Sequence, residues 1–355
     1  MMRAYERLLK YVRVNTASAE DVDATTTARQ FDLAHLLADE LRALGMAEVY
    51  EDEHAYVYAA LPASAGLEGE RAIGLIAHID TVPDFSGENV RPQVIENYDG
   101  GEVALGTSGR VLSPDKFAEL PKLRGQTLIT TDGTTVLGAD DKAGVAEIMT
   151  ACERLIAQGI PHGRIAVCFT PDEEVGHGAA LLDFDRLGAD FAYTVDGGAL
   201  EEVNFETFNA AAAHWDITGF NIHPGDAKNT MINASLVACE INAMLPSGDT
   251  PAHTEGYEGF YHLMSMTGSV EHAELDYIVR DHSAASFAAR EQTLRHIEKL
   301  INEKYGAGTA KLTLTQQYRN MAECMSGHMD IVERAERAIA AAGLKPVRVP
   351  VRGGT

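Results

Sequence analysis

Short apolar runs and helix-spaced apolar positions alternate through the first half of the chain. "AIGLIAH", "TVLGA" and "RIAVCFT" read as buried strands. "FDLAHLLADELRALG" and "DKAGVAEIMTACERLIAQG" carry apolar residues at three- and four-residue spacing and stop at glycine, which predicts helices. "MMRAYERLLKYVRV" sets Leu8, Leu9, Val12 and Val14 among charges and predicts an amphipathic helix rather than a signal peptide. Strands alternating with helices imply an α/β sheet. Between Thr81 and Thr130 the chain turns rich in Gly, Pro, Asp and Ser, a length that suggests a functional covering loop.

From Ala210 the pattern changes. "AAHWDITGFNIHP", a helix near Met231 to Met244, "MTGSVEHAELDYIVRD", a helix to Lys304 and "AKLTLTQQY" read as strand, helix, strand, helix, strand. Residues 209–317 therefore form an inserted α+β module of ordinary domain size, and residues 1–208 with 318–355 form the α/β domain around it. "HMDIVERAERAIAAAG" and the extended "KPVRVPVRGGT" return the chain to that first domain.

Composition narrows the partners. The 355 residues are 45% apolar and 23% charged, ordinary for a globular chain. With 29 basic against 53 acidic residues the net charge is −24, which repels nucleic acid and anionic membranes and favours cations and small solutes. No segment is long and apolar enough to cross a bilayer. Cys152, Cys168, Cys239 and Cys324 form no CxxC pair and read as reduced, mostly buried thiols of a cytoplasmic protein.

Acidic residues recur where apolar runs end. His78 and Asp80 close "GLIAHIDTVPD", Asp140 and Asp141 follow "TTVLGA", Glu173 and Glu174 follow "IAVCFTPD", and Asp196 follows "FAYTV". Each has a bland reading: strand-end polarity, a helix N-cap, a solvated turn, a turn before two glycines. Four such groups on successive strand ends instead suggest one cleft. Imidazole with several carboxylates suits zinc. Two metals sharing a bridging carboxylate would also need a carboxylate to orient the histidine and one to take a proton from water. Asp80 and Glu173 stand where those roles are needed.

"AHIDTVPD", "GTTVLGADDKAGVAEI", "TPDEEVGHGA", "YTVDGG", "NIHPGDAKNTMINA", "TEGYEGFYHL" and "VRGGT" resemble the peptidase T family of the dizinc aminoacylase and carboxypeptidase clan, over essentially the whole chain. The resemblance implies a mixed-sheet dizinc exopeptidase domain with an inserted ferredoxin-like lid that also dimerises. It implies that His78 and Asp196 bind one zinc, that Asp140 bridges, and that Glu174 binds the other. It makes Asp80 the orienting residue of His78, Glu173 the general base, and the Asp140–Asp141 peptide cis. His223 matches a lid histidine that reaches the substrate carbonyl; its residues alone read as a turn before Pro224. Arg280 and Arg352 match arginines suited to a substrate carboxylate, or else form plain surface ion pairs.

The activity implied is release of the N-terminal residue from tripeptides in the cytoplasm, by a homodimer joined through the lid. In the family "RGGT" continues into a segment whose histidine completes the second zinc site, and the sequence stops at Thr355, so the expectation is a second site without its terminal ligand. Two other readings follow: a one-metal remnant without useful catalysis, or an amidohydrolase of dipeptides or N-acyl amino acids.

Overall fold

The computed structural model describes residues 1–20 and 25–353; Gly354 and Thr355 of "VRGGT" lie outside the described residues. The chain divides into two compact units, Met1–Gly197 and Gly198–Thr355.

The first unit is built on a mixed five-stranded sheet. Its strands are β1 (Ala47–Glu51), β2 (Val57–Leu61), β3 (Ile73–His78), β4 (Ile165–Thr170) and β5 (Phe191–Thr194), in the order β1-β2-β4-β3-β5. β3 runs parallel to β4 and β5, with His78 opposite Thr170, so these strands release their chains at the same edge. All five residues of β2 are buried, as a near-continuous apolar run requires in a sheet covered on both faces. Helix α2 (Gln30–Leu44) buries Leu33, Ala34, Leu37, Ala38 and Leu41, the stripe its periodicity predicts, and ends at Gly45 in the left-handed conformation. Helix α1 (Ala4–Tyr11) buries Arg7 and Tyr11 instead of a purely apolar face. Arg7 stays charged there because Glu40 and Glu153 each accept a guanidinium hydrogen bond at 2.8 Å.

Two readings of the pattern need correction here. "TVLGA" is not a strand: Val136 donates to the Ser86 carbonyl and the segment runs as a loop into helix α3 (Ala139–Gln158). Its apolar run is too short to complete a ladder. The 81–130 stretch is not simply irregular, because Gln93–Ile95 pairs with Leu128–Thr130 and Val103–Ala104 with Val111–Leu112. Tyr98, Val103, Leu105 and Leu120 give it a small core of its own.

The second unit contains β6 (Glu202–Val203), β7 (Asn209–Thr218), helix α4 (Ala234–Met244), β8 (Phe260–Gly268), β9 (His272–Asp281), helix α5 (Ala284–Tyr305), β10 (Ala310–Tyr318), helix α6 (Met329–Ala341) and β11 (Val347–Arg348). An antiparallel sheet of order β8-β9-β7-β10 packs Ala213, Trp215, Leu275, Tyr277 and Val279 against α4 and α5. "MTGSVEHAELDYIVRD" is thus two strands, not one: Ser269 accepts from and donates to His272 in a tight turn, and the apolar alternation on both sides belongs to a hairpin. β11 pairs in parallel with β6. Of the four cysteines, all free, Cys152 and Cys168 are buried, whereas Cys239 and Cys324 are exposed because they lie on the outer sides of short helices.

Candidate metal centre

His78 is the last residue of β3, and its position is fixed from both ring nitrogens and the backbone. Nδ1 lies 3.1 Å from the carbonyl oxygen of Asp80 and 3.3 Å from its Oδ1. A carbonyl only accepts, so Nδ1 carries a hydrogen, and Nε2, facing outward to Asp140 Oδ1 at 3.0 Å, is the ring nitrogen a cation would take by displacing its proton. The His78 backbone N–H donates to Asp141 Oδ2 at 3.3 Å. Asp80, fully buried, uses its carboxylate a second way: Oδ1 accepts the Glu173 N–H at 3.0 Å and Oδ2 the Glu174 N–H at 3.2 Å. One side chain therefore registers the imidazole against the acidic turn after β4.

Asp140 and Asp141 stand at the entry to α3, both with non-helical backbone angles, and the peptide between them is cis. Asp141 Oδ1 accepts the Gly144 N–H at 3.1 Å, three residues on, which is the bond of an N-cap. The regular helix thus begins behind Asp141, and Asp140 is left free to face His78. Gly144 is required by a close approach: an added Cβ would lie 1.9 Å from the Val195 carbonyl oxygen. That contact sets α3 against the exit of β5, one residue before Asp196.

Three carboxylates lie within 4 Å of Nε2 of His78. Asp140 Oδ1 is 3.0 Å away, Asp196 Oδ2 3.8 Å and Glu173 Oε2 3.9 Å. Two overlapping groups offer ligand atoms within 4.8 Å of one another: His78, Asp140 and Glu174, and His78, Asp141 and Asp196. Burial raises the pKa of Glu174 to about 7, with Asp140 adding repulsion, and that of Asp141 to about 8, with Asp196 adding repulsion. Glu173 and Asp196 are pushed up as well, again chiefly by burial. Burial opposes a charge on His78, but its bonds to Asp140 and Asp80 prevail and raise its pKa to about 11. Glu173, Glu174, Asp141 and Asp196, raised by burial, stand with the exposed Asp140 around one oriented imidazole, a donor set that a divalent cation satisfies.

The other expected residues lie in the second unit. His223 is exposed, and its Nδ1 accepts the Gly225 N–H at 3.1 Å, a turn bond. Arg280 donates to the carbonyls of Ala211 and Val279 and lies over the Tyr318 ring. Arg352 donates to the carbonyls of Gly256 and Glu258 and to Thr254 Oγ1, with Phe208 and Phe260 against its guanidinium. Both arginines are held by neutral backbone groups rather than by surface acids. A third group of metal-ligand type, Asp216, His272 and Glu274, lies on the helix-free face of the second unit's sheet.

Sequence reading gave Asp141 no role of its own, although the structure makes it both the cap of α3 and part of the cluster. It also overlooked Asp172, whose signal was a third acid directly before the paired glutamates.

Residues 205–309 match a peptidase dimerisation domain, and residues 123–238 match M42 glutamyl aminopeptidase. Peptidase T of Halothermothrix orenii is 50% identical over 358 residues, a match spanning 100% of this chain and 88% of that protein. Peptidase T of Desulfitobacterium hafniense is 51% identical over 358 residues, spanning 100% and 87%. The crystal structure of an aminopeptidase from Bacillus cereus shares the fold with a TM-score of 0.77 at 24% identity, covering 99% of this chain and 85% of that one. On that identity and coverage, the chain belongs to the peptidase T family of metal-dependent peptidases.

Proposed function

We propose that this chain is a zinc aminopeptidase that releases the N-terminal residue from tripeptides. The observation that carries the reading is the convergence of Asp140, Glu174, Asp196 and Glu173 on the outward nitrogen of His78. His78 and Asp196 would hold one zinc and Glu174 a second, with Asp140 between them. When bound, the zinc pair supplies Lewis acidity toward the peptide carbonyl and makes water nucleophilic at neutral pH.

The chain's own groups do the rest. Asp80 keeps the hydrogen of His78 on Nδ1, so the other nitrogen stays available as a ligand. Glu173, whose pKa burial raises above the ordinary carboxylate value, takes the proton of the attacking water and returns it to the departing amine. His223 would contact the carbonyl oxygen of the substrate, and Arg280 and Arg352 its terminal carboxylate. We assign residues 1–208 and 318–355 to the catalytic domain and 209–317 to a lid through which two copies associate; the match of residues 205–309 to a dimerisation domain supports the pairing. A cytoplasmic setting agrees with four free thiols.

The test compares a tripeptide with its N-acetylated form on zinc-supplemented enzyme. Turnover of the free tripeptide and not of the blocked one is the expected result. Preference for the blocked form would assign the site to an N-acyl amidohydrolase instead.

A further inference from the structure

The acidic turn that carries Glu173 is gripped from outside by the N-terminal part of the chain. Asp172, immediately before it, is buried and takes the left-handed conformation, with φ 56°. Its carboxylate points away from the metal ligands: Oδ1 accepts from Gln30 Nε2 at 2.6 Å and from the Thr26 hydroxyl, and Oδ2 accepts the Thr26 N–H at 2.9 Å. Gln30, itself buried, returns a bond, its Oε1 accepting the Asp172 N–H at 3.1 Å. The Asp172 carbonyl accepts the His177 N–H at 2.8 Å.

Three successive backbone N–H groups, of Asp172, Glu173 and Glu174, are thus held by side chains from two other elements, Gln30 and Asp80. On the far side Gly178 leaves no room for retreat, since a Cβ there would meet Glu173 Cα at 3.1 Å and Cβ at 3.2 Å. The same N-terminal stretch reaches two of the other three ligand-bearing loops, those of Asp140 and His78. Val14 O accepts from Lys142 Nζ at 2.8 Å, two residues past Asp140. Thr16 O accepts the Thr81 N–H, and Ser18 N–H donates to Thr81 O at 3.0 Å, one residue past Asp80.

We infer that Asp172, acting through Gln30 and Thr26, is a positioning residue for Glu173, and that the N-terminal segment is the common backing against which three of the four metal-bearing loops are set. Gln30 and Thr26 fix Asp172 at both its amide and its carboxylate, so the residue next to the proton-transfer group is held where Asp80 takes over the following two amides. The inference rests on the reading of Glu173 as general base.

The test uses the zinc-loaded full chain and measures kcat, KM, zinc content and Tm for Gln30→Met, Thr26→Ala, Thr26→Ser and Glu173→Gln. Gln30→Met keeps the volume and removes both amide bonds; Thr26→Ala removes one hydroxyl, and Thr26→Ser keeps it. A small misplacement of a proton-transfer group lowers the rate by about 10- to 100-fold, so kcat should fall by that much in Gln30→Met and less in Thr26→Ala. KM and zinc content should hold, and Thr26→Ser should restore kcat. Lowered Tm with kcat per folded enzyme unchanged would overturn the inference. If Gln30→Met does not fold, Thr26→Ala against Thr26→Ser decides the matter alone. An active Glu173→Gln would instead remove the reading of Glu173 as base, which separates the two failures.

Discussion

Two clusters in this molecule contain one histidine and nearby carboxylates, and they differ in what holds them. Around His78 the imidazole is 2% exposed, its Nδ1 is tied to Asp80, and the same Asp80 carboxylate grips the backbone amides of Glu173 and Glu174. Around His272 the side chains are about half exposed, with Nε2 3.7 Å from Asp216 Oδ2 and 4.0 Å from Glu274 Oε1. Asp216 stands directly opposite Glu274 in the ladder, and Lys311 opposite Asp216 on the other side offers ordinary charge relief. Residue type and spacing are alike in the two places. A buried imidazole and backbone anchored by Asp80 distinguish the candidate site from a polar sheet surface.

Breaking the anchor without touching a ligand is the sharpest challenge to that difference. Asp80→Asn keeps the shape but gives His78 and the Glu173–Glu174 amides a partner that is half donor. Zinc affinity or activity should fall by about 10- to 100-fold, the usual range for a lost orienting group, as read by chelator competition and tripeptide turnover. Gly144→Ala drives a methyl into the Val195 carbonyl and so displaces the exit that carries Asp196. Stability should drop by about 1–3 kcal/mol in urea unfolding, with lower zinc affinity; a stable variant with full affinity would show that this exit is not rigid.

Smaller effects test the surroundings. The Arg7 guanidinium beside Glu153 holds that carboxyl below its ordinary value of 4.5. A depressed carboxylate stabilises the fold above its ordinary pKa and loses that contribution as pH falls through the lower, folded value. Glu153→Gln should therefore cost about 1 kcal/mol at neutral pH and flatten the loss of stability on acidification below pH 4.5. His272→Ala should change neither zinc per chain nor turnover, and stability by less than about 0.5 kcal/mol. A loss of bound zinc in that variant would mean that the open sheet face is a metal site after all.

The strand-end candidates are legible in the sequence because each belongs to a local pattern: an apolar run, then acids. His78, Asp80, Glu173, Glu174 and Asp196 can be found in this way, and the family resemblance adds the roles. What the pattern cannot show is pairing across distance. Gln30 and Asp172 are 142 positions apart, and no periodicity links a helix-start glutamine to a turn aspartate. "TVLGA" misleads because a short apolar run looks the same in a strand and in a buried loop. The β8–β9 hairpin is hidden because polar turn residues and the polar face of a strand have similar composition. Arg352 likewise has partners no local pattern shows, the carbonyls of Gly256 and Glu258.

The central claim is that one pre-set cluster, centred on His78 and sharing Asp140, binds the catalytic metal. The most direct measurement is elemental analysis of zinc per chain in the dialysed wild type and in Asp140→Ala. Tightly bound zinc in the wild type that is lost in Asp140→Ala, with the fold retained by circular dichroism, is the predicted result. Equal zinc in both proteins would contradict the account and place the metal elsewhere.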